Sequence, residues 1–332
     1  RQFQDLGNEV IILIGDFTAT IGDPSGKLSV RKPLSRQEVL KNAKNYKKQI
    51  GKILDLQKSN IKFLYNERWA NKLKPADLLK IFSHFNVARL LERDMFQERI
   101  RAGKNILLHE FVYPVFQAYD SLVMSVDLEV GGNDQTFNML MGRDLMKKMK
   151  NREKFVMSLK LLTDPTGKKM GKTEGNLIAL NDNSKEMFGR VMAWPDSLIE
   201  LGFELLTDVP SKEVKSALKN PREAKAELAK EIVTLCHNKN SAKIAKKEFT
   251  RIFKEKKLPT RIPEIRLSKK SLSLLDLLVK TSLSSSKSNA KRLVLQSGVK
   301  IDGKICQDWQ EIVEIKKGMI VQVGKRNFTK II

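Results

Sequence analysis

Residues 9–16, EVIILIGD, form a near-continuous apolar run of strand length that closes on glycine and aspartate. Apolar residues without alternation mark a strand covered on both faces, as in a parallel sheet flanked by helices. Segments with apolar residues at helical spacing follow, among them RQEVLKNAKNYKKQIGKIL from Arg36 and PADLLKIFSHFNVARLLER from Pro75. Another short strand reads SVDLEVGG, residues 125–132. This alternation predicts an α/β, doubly wound (Rossmann-like) parallel-sheet catalytic domain over residues 1–183. The first residue is Arg1, and RQFQDLG reads as the last turns of a helix closed by Gly7, so a segment upstream of it is expected.

The pattern then changes twice. Residues 184–256 are almost wholly helical in pattern, with SKEVKSALK and PREAKAELAKEIVTLC spaced for an apolar face, and they are expected to form a helical domain. Residues 257–267 carry two prolines among charges and read as a linker. Residues 268–332 predict a small α+β module: two short helices, a hairpin turned at Asp302-Gly303, and closing strands.

Charge points to a partner for that module. The chain carries a net charge of +24. Residues 241–332 alone hold 22 Lys and Arg against eight Asp and Glu. A basic excess concentrated at one end suits a polyanion such as nucleic acid. No apolar stretch reaches the roughly 18 residues a membrane span needs. Cys236 and Cys306 stand in unlike contexts without CxxC spacing, which argues against a disulfide framework or a zinc site and for a reducing cytoplasm.

Four clusters carry the candidate chemistry. In open α/β sheets ligands bind beyond the carboxyl ends of strands, where Asp16 and Asp23 fall. An aspartate there holds a ligand's ammonium group, coordinates a metal or caps the next helix, and the sequence leaves these roles open. YPVFQAYD sets Tyr113, Gln117 and Asp120 on one helical face, with Pro114 expected in the first turn. EVGGNDQTFN ends a strand in paired glycines, which admit a ligand close to the backbone, followed by Asn133, Asp134 and Gln135. DPTGKKMGKTEGN, residues 164–176, is a basic glycine-containing loop suited to a polyphosphate, although it lacks Walker spacing.

In this order, GDPSGK, YxxxQxxD, GGxDQ and a KMSKS-like loop resemble bacterial tyrosyl-tRNA synthetase, a class I aminoacyl-tRNA synthetase. The resemblance spans essentially the whole chain, because SSSKSNAKRLVLQSGVKIDGKI is similar to an RNA-binding module shared with a ribosomal protein. It implies an enzyme that activates L-tyrosine with ATP and transfers it to tRNA(Tyr). Asp23, Tyr113 and Gln117 would hold the amino acid's ammonium, and Asp120 would accept a hydrogen bond from its phenol. Gly132 and Asp134 would meet the ATP ribose, Gln135 the reacting carboxylate, and Lys169 and Lys172 the pyrophosphate. Magnesium would arrive with ATP, with no protein-bound metal. Lys287, Lys291 and Arg292 would contact RNA, and the protein would be a homodimer, with its interface sought near residues 70–110.

Several positions depart from the family pattern. Gly171 replaces the loop serine, Glu129 stands where many relatives have glutamine, and Thr136 where many have tryptophan. No His-Ile-Gly-His-like sequence occurs, and His84, His109 and His237 are isolated. In this family that motif precedes the helix ending at RQFQDLG, so the expected upstream segment would hold it and this chain is expected to be impaired without it. Two other readings are a catalytically silent RNA-binding relative and a tryptophan-specific synthetase.

Overall fold

The computed structural model describes residues 1–23, 34–163, 170, 177–255, 258–260, 262–267, 269–324 and 327–332. The described chain divides into two compact units, residues 1–182 with 194–224, and residues 183–193 with 225–332.

The first unit opens with α1 (Gln2–Asp5), and Gly7 at φ +85° ends it as the sequence predicts. The strand β1 (Val10–Ile14) pairs in parallel with β2 (Ile61–Tyr65), Val10 opposite Ile61. Between them run α2 (Thr18–Ile21), α3 (Arg36–Ala43) and α4 (Tyr46–Ile50). After β2 come α5 (Glu67–Ala70), α6 (Pro75–Phe82), α7 (Val87–Leu91), α8 (Asp94–Arg101) and the long α9 (Leu108–Met124). A second parallel pair joins β3 (Leu128–Gly132) to β4 (Phe155–Leu159) through α10 (Thr136–Lys150). Both sequence-read strands are therefore present in parallel pairs. They are less covered than burial on both faces predicts: in β1 Ile14 is buried and Val10–Leu13 are half-buried, in β3 Val130 is exposed, and β4 exposes Phe155, Met157 and Leu159.

Both extended helical readings break at an asparagine. The run from Arg36 divides at Asn45, and the run from Pro75 divides at Asn86, whose side chain accepts from the Ala88 N–H and starts α7. α9 corrects another expectation. It begins at Leu108, because Glu110 accepts the Leu107 N–H at 2.8 Å and its carboxylate is gripped by buried Arg99. Pro114 thus sits mid-helix, not in the first turn, and supplies no N–H to the Glu110 carbonyl. It is buried together with Val115, Phe116, Ala118 and Leu122, so packing fixes a helix that propensity alone would interrupt. α9 and α10 pack along a core that includes Ala118, Leu122, Met141, Leu145 and Met146.

The chain passes through α11 (Ser184–Met192), which belongs to the second unit, then adds α12 (Ile199–Leu206) and α13 (Ser211–Ala217) to the first. α14 (Pro221–Cys236) and α15 (Lys239–Phe253) follow. In the second unit Phe188 of α11 meets Phe249 of α15 at 5.5 Å. Buried Glu248 accepts from the Thr260 N–H at 2.8 Å, which anchors one residue of the sequence-read linker. The remaining elements are β5 (Glu264–Ile265), β6 (Ser271–Ser273), α16 (Leu274–Lys280), α17 (Lys287–Leu295), β7 (Val299–Ile301), β8 (Lys304–Ile305), β9 (Ile312–Glu314), β10 (Ile320–Val323) and β11 (Asn327–Ile331). The mixed sheet runs β5-β11-β10-β7-β8, and β6 pairs with β9. Asp302 at φ +47° and Gly303 at φ +83° make the β7–β8 turn, the left-handed pair a two-residue hairpin requires. Leu274, Leu277, Leu278, Ala290, Val299 and Val321 form the core.

Candidate active site

β1 delivers Asp16 to the carboxyl end of its strand, and there the residue serves the backbone. Its Oδ1 accepts from the Phe17 N–H at 3.1 Å and the Glu67 N–H at 3.0 Å, joining the end of β1 to the start of α5. Asp16 thus ties together two backbone N–H groups, one of them on the first residue of α5. Neighbouring Asn66, 1% exposed, accepts from the Phe17 N–H at 2.9 Å. With its acceptor so occupied, its amide N–H₂ points the other way, donating to Thr18 Oγ1 and Asp120 Oδ2, each at 3.1 Å.

Among the described sequence-predicted site residues Asp120 is the deepest, 3% exposed. Trp69 Nε1 donates to its other oxygen, Oδ1, at 2.7 Å. Burial pushes the Asp120 carboxyl up to about 7; the hydrogen bonds from Asn66 and Trp69 oppose the rise, and the charges of Glu129 and Asp16 add to it. Each oxygen keeps a second lone pair, so a carboxyl fixed at both ends still has an acceptor to offer a hydroxyl ligand.

Gln117, one turn before Asp120 on α9, points its amide at β3. Its Nε2 donates to Glu129 Oε1 at 3.1 Å, while Ser121 Oγ donates to Glu129 Oε2 at 2.9 Å. The same carboxylate takes a close ion pair from Lys154, whose side chain is wholly buried and also donates to Ser121 Oγ at 2.8 Å and the Met139 carbonyl at 3.3 Å. Burial pulls the Lys154 ammonium below the usual lysine range, and Glu129 opposes that fall. Tyr113 is half-buried on the same helix.

β3 runs straight into the third cluster. A Cβ on Gly132 would lie 2.6 Å from Leu161 Cδ2 and 2.7 Å from Asp134 Oδ1, so any side chain at that strand end would have to displace Leu161 and Asp134. Gln135 donates to Asp23 Oδ2 at 3.0 Å and accepts from Asn138 Nδ2 at 3.0 Å. Arg93, over the Phe137 ring at 4.9 Å, is pulled down by burial and raised again by the Asp23 charge. Thr136 Oγ1 lies 2.9 Å from both the Asn133 carbonyl and Ser158 Oγ.

The structure thus brings Asp23 to Gln135, joins Gln117 through Glu129 to β3, and sets Asp134 beside Gly132 at the end of that strand. Lys169 and Lys172 lie outside the described residues. The three RNA candidates stand in the second unit, each with a partner: Lys287 pairs with Asp276 at 2.8 Å, Arg292 donates to Asn289 at 2.9 Å, and Lys291 sits 3.8 Å above the Trp309 ring. Among the described residues no cluster of three or more His, Cys, Asp or Glu is arranged to hold a metal, and no helix is long and apolar enough to cross a membrane. Sequence reading missed Asn66, Trp69, Ser121 and Lys154. The available signal for the first two was the strand IKFLY ending in Asn66, the counterpart of the β1 terminus. Lys154 in NREKFVMSL offered none, since a lone lysine beside an arginine and a glutamate reads as surface.

Comparison with known proteins agrees with this architecture. The profile of tRNA synthetases class I (W and Y) matches residues 1–254, and that of the tyrosine–tRNA ligase SYY-like C-terminal domain matches residues 254–331. The chain is 42% identical to a tyrosine–tRNA ligase of Thermotoga maritima and 44% identical to one of Carboxydothermus hydrogenoformans, in both cases over 100% of this chain and 84% of the relative. A C-terminally truncated mitochondrial tyrosyl-tRNA synthetase of Coccidioides posadasii superposes with a TM-score of 0.57 at 23% identity, covering 73% of this chain and 74% of that one. A tyrosyl-tRNA synthetase of Archaeoglobus fulgidus complexed with L-tyrosine gives 0.54 at 19% identity, over 73% and 82%. Strand ends, α9 and the two matched regions together assign the chain to the bacterial tyrosyl-tRNA synthetase family of class I.

Proposed function

We propose that this chain is a tyrosine–tRNA ligase, which activates L-tyrosine with ATP and passes it to tRNA(Tyr). A tyrosine carboxylate oxygen attacks the α-phosphorus of ATP as the bond to the bridging oxygen breaks. Pyrophosphate leaves, and tyrosyl-adenylate remains. A terminal ribose hydroxyl of tRNA then attacks the activated carbonyl, and AMP departs. Asp120 carries the reading: a buried carboxyl held by Trp69 and Asn66 accepts the phenolic hydroxyl. Phenylalanine would leave that site's polar group unpaired, a penalty on the order of 10⁴–10⁵ in specificity.

Asp23, Tyr113 and Gln117 receive the ammonium group, Gly132 and Asp134 the ribose, and Gln135 the reacting carboxylate. Lys169 and Lys172 meet the pyrophosphate, with Mg²⁺ accompanying ATP. Residues 1–183 serve as the catalytic domain, 184–256 as the helical domain, 257–267 as a linker and 268–332 as the RNA-binding module in which Lys287, Lys291 and Arg292 approach phosphates, with two departures: α12 and α13 group with the first unit, and β5 takes Glu264–Ile265 of the linker into the C-terminal sheet. Exposed Leu79, Val87, Ile100 and Leu108, all within or beside residues 70–110, support a homodimer interface there. The reaction belongs in the cytoplasm, with the tRNA it serves.

The test is ATP–pyrophosphate exchange with tyrosine, tryptophan and phenylalanine offered in turn. Exchange driven by tyrosine is expected, and Asp120→Ala should narrow its advantage over phenylalanine by at least about a hundredfold. Exchange driven by tryptophan instead overturns the assignment.

A further inference from the structure

We infer that the Lys154–Glu129 pair is a positioning device that fixes which end of the Gln117 amide faces the substrate's ammonium group. This inference rests on the tyrosine-activation reading.

An amide turned one way donates, and turned the other way accepts. An ammonium ligand offers donors only, so Gln117 serves it with its oxygen. Glu129 forces that choice, because a carboxylate accepts and cannot donate: Gln117 Nε2 must face Glu129 Oε1, at 3.1 Å, and the Gln117 oxygen is left for the ligand. An uncharged amide at position 129 would tolerate either orientation.

A carboxylate there needs support. Glu129 lies near Asp120, whose own carboxyl its charge pushes upward, so a second bare anion would disturb the phenol end of the pocket. Lys154 supplies the counter-charge from beneath, its side chain 0% exposed. Its three acceptors, Glu129, Ser121 and the Met139 carbonyl, fill all three donor directions of the ammonium. Gly142 on α10 makes the space: a Cβ there would come within 2.6 Å of Lys154 Nζ and 2.8 Å of Ser121 Oγ. The lysine reaches no ligand itself, and it acts through Glu129 and then Gln117.

A double-mutant cycle tests this with exchange kinetics and thermal melting. Lys154→Met should raise KM for tyrosine by about 10–100-fold, the worth of a charge-assisted hydrogen bond, with KM for ATP within about twofold. Gln117→Ala should add little in the Lys154→Met background, because both changes remove the same interaction. Should Lys154→Met fail to fold, Lys154→Met/Glu129→Gln removes both charges together. It should melt near the parent yet keep tyrosine KM about tenfold high, since the amide is no longer oriented. Normal tyrosine KM in that double variant, or additive effects of Lys154→Met and Gln117→Ala, overturns the inference while leaving tyrosine activation intact. Parent protein that exchanges with no aromatic amino acid overturns both.

Discussion

Asp120 links stability to pH in a direction opposite to that of most carboxylates. Its folded value, raised to about 7, lies above the ordinary value of 3.8 it regains on unfolding. The folded state therefore holds the proton more tightly, and Asp120 weakens the fold progressively as pH rises from 4 to 7. Asp120→Asn removes this dependence. The variant's stability minus the parent's should grow over that interval by up to about 1.4 kcal/mol per pH unit and level off above it; denaturant melts of ligand-free protein at several pH values read it directly. Gly142→Ala is expected to displace Lys154 and lower the melting temperature, with tyrosine KM rising alongside. The two sets of site residues differ in legibility. Tyr113, Gln117 and Asp120 share one helix, and helical periodicity reveals their common face. Asn66, Trp69 and Lys154 reach Asp120 and Glu129 from 25 to 54 residues away, and no local pattern encodes such a meeting.

Elements were legible where backbone geometry has a local cause. The Asp302-Gly303 hairpin follows from two left-handed residues, and Gly303→Ala at φ +83° should cost about 1 kcal/mol in melts of the protein. Strand β1 follows from an apolar run ending in glycine, β3 from a short segment closed by paired glycines, and α1 from Gly7. Element boundaries followed less well, because they depend on tertiary partners. α9 begins five residues before Tyr113 since Arg99 and Glu110 hold its first turn. Pro114, read locally as a start signal, is instead tolerated inside the helix by the packing around it.

At the scale of the molecule, charge distribution was the most readable property. Of the basic excess, residues 241–332 carry more than half, and the C-terminal family profile falls on the same part of the chain. Deleting residues 268–332, which hold a core of their own, should weaken tRNA binding while tyrosine–pyrophosphate exchange persists. Filter binding across a salt series reads the first effect. The parent's affinity should fall steeply with salt, and replacing Lys287 and Arg292 with alanine should flatten the slope by about one unit for each phosphate no longer neutralised.

The indole of Trp69 donates to the buried Asp120 carboxyl, and the chain has three tryptophans. With Trp194 and Trp309 changed to phenylalanine, the remaining fluorophore shares Asp120 with the phenol that the proposed function places there. Its emission then becomes an optical gauge of occupancy, shifting with protonation near neutrality in the empty protein and falling silent to pH once a phenol has docked.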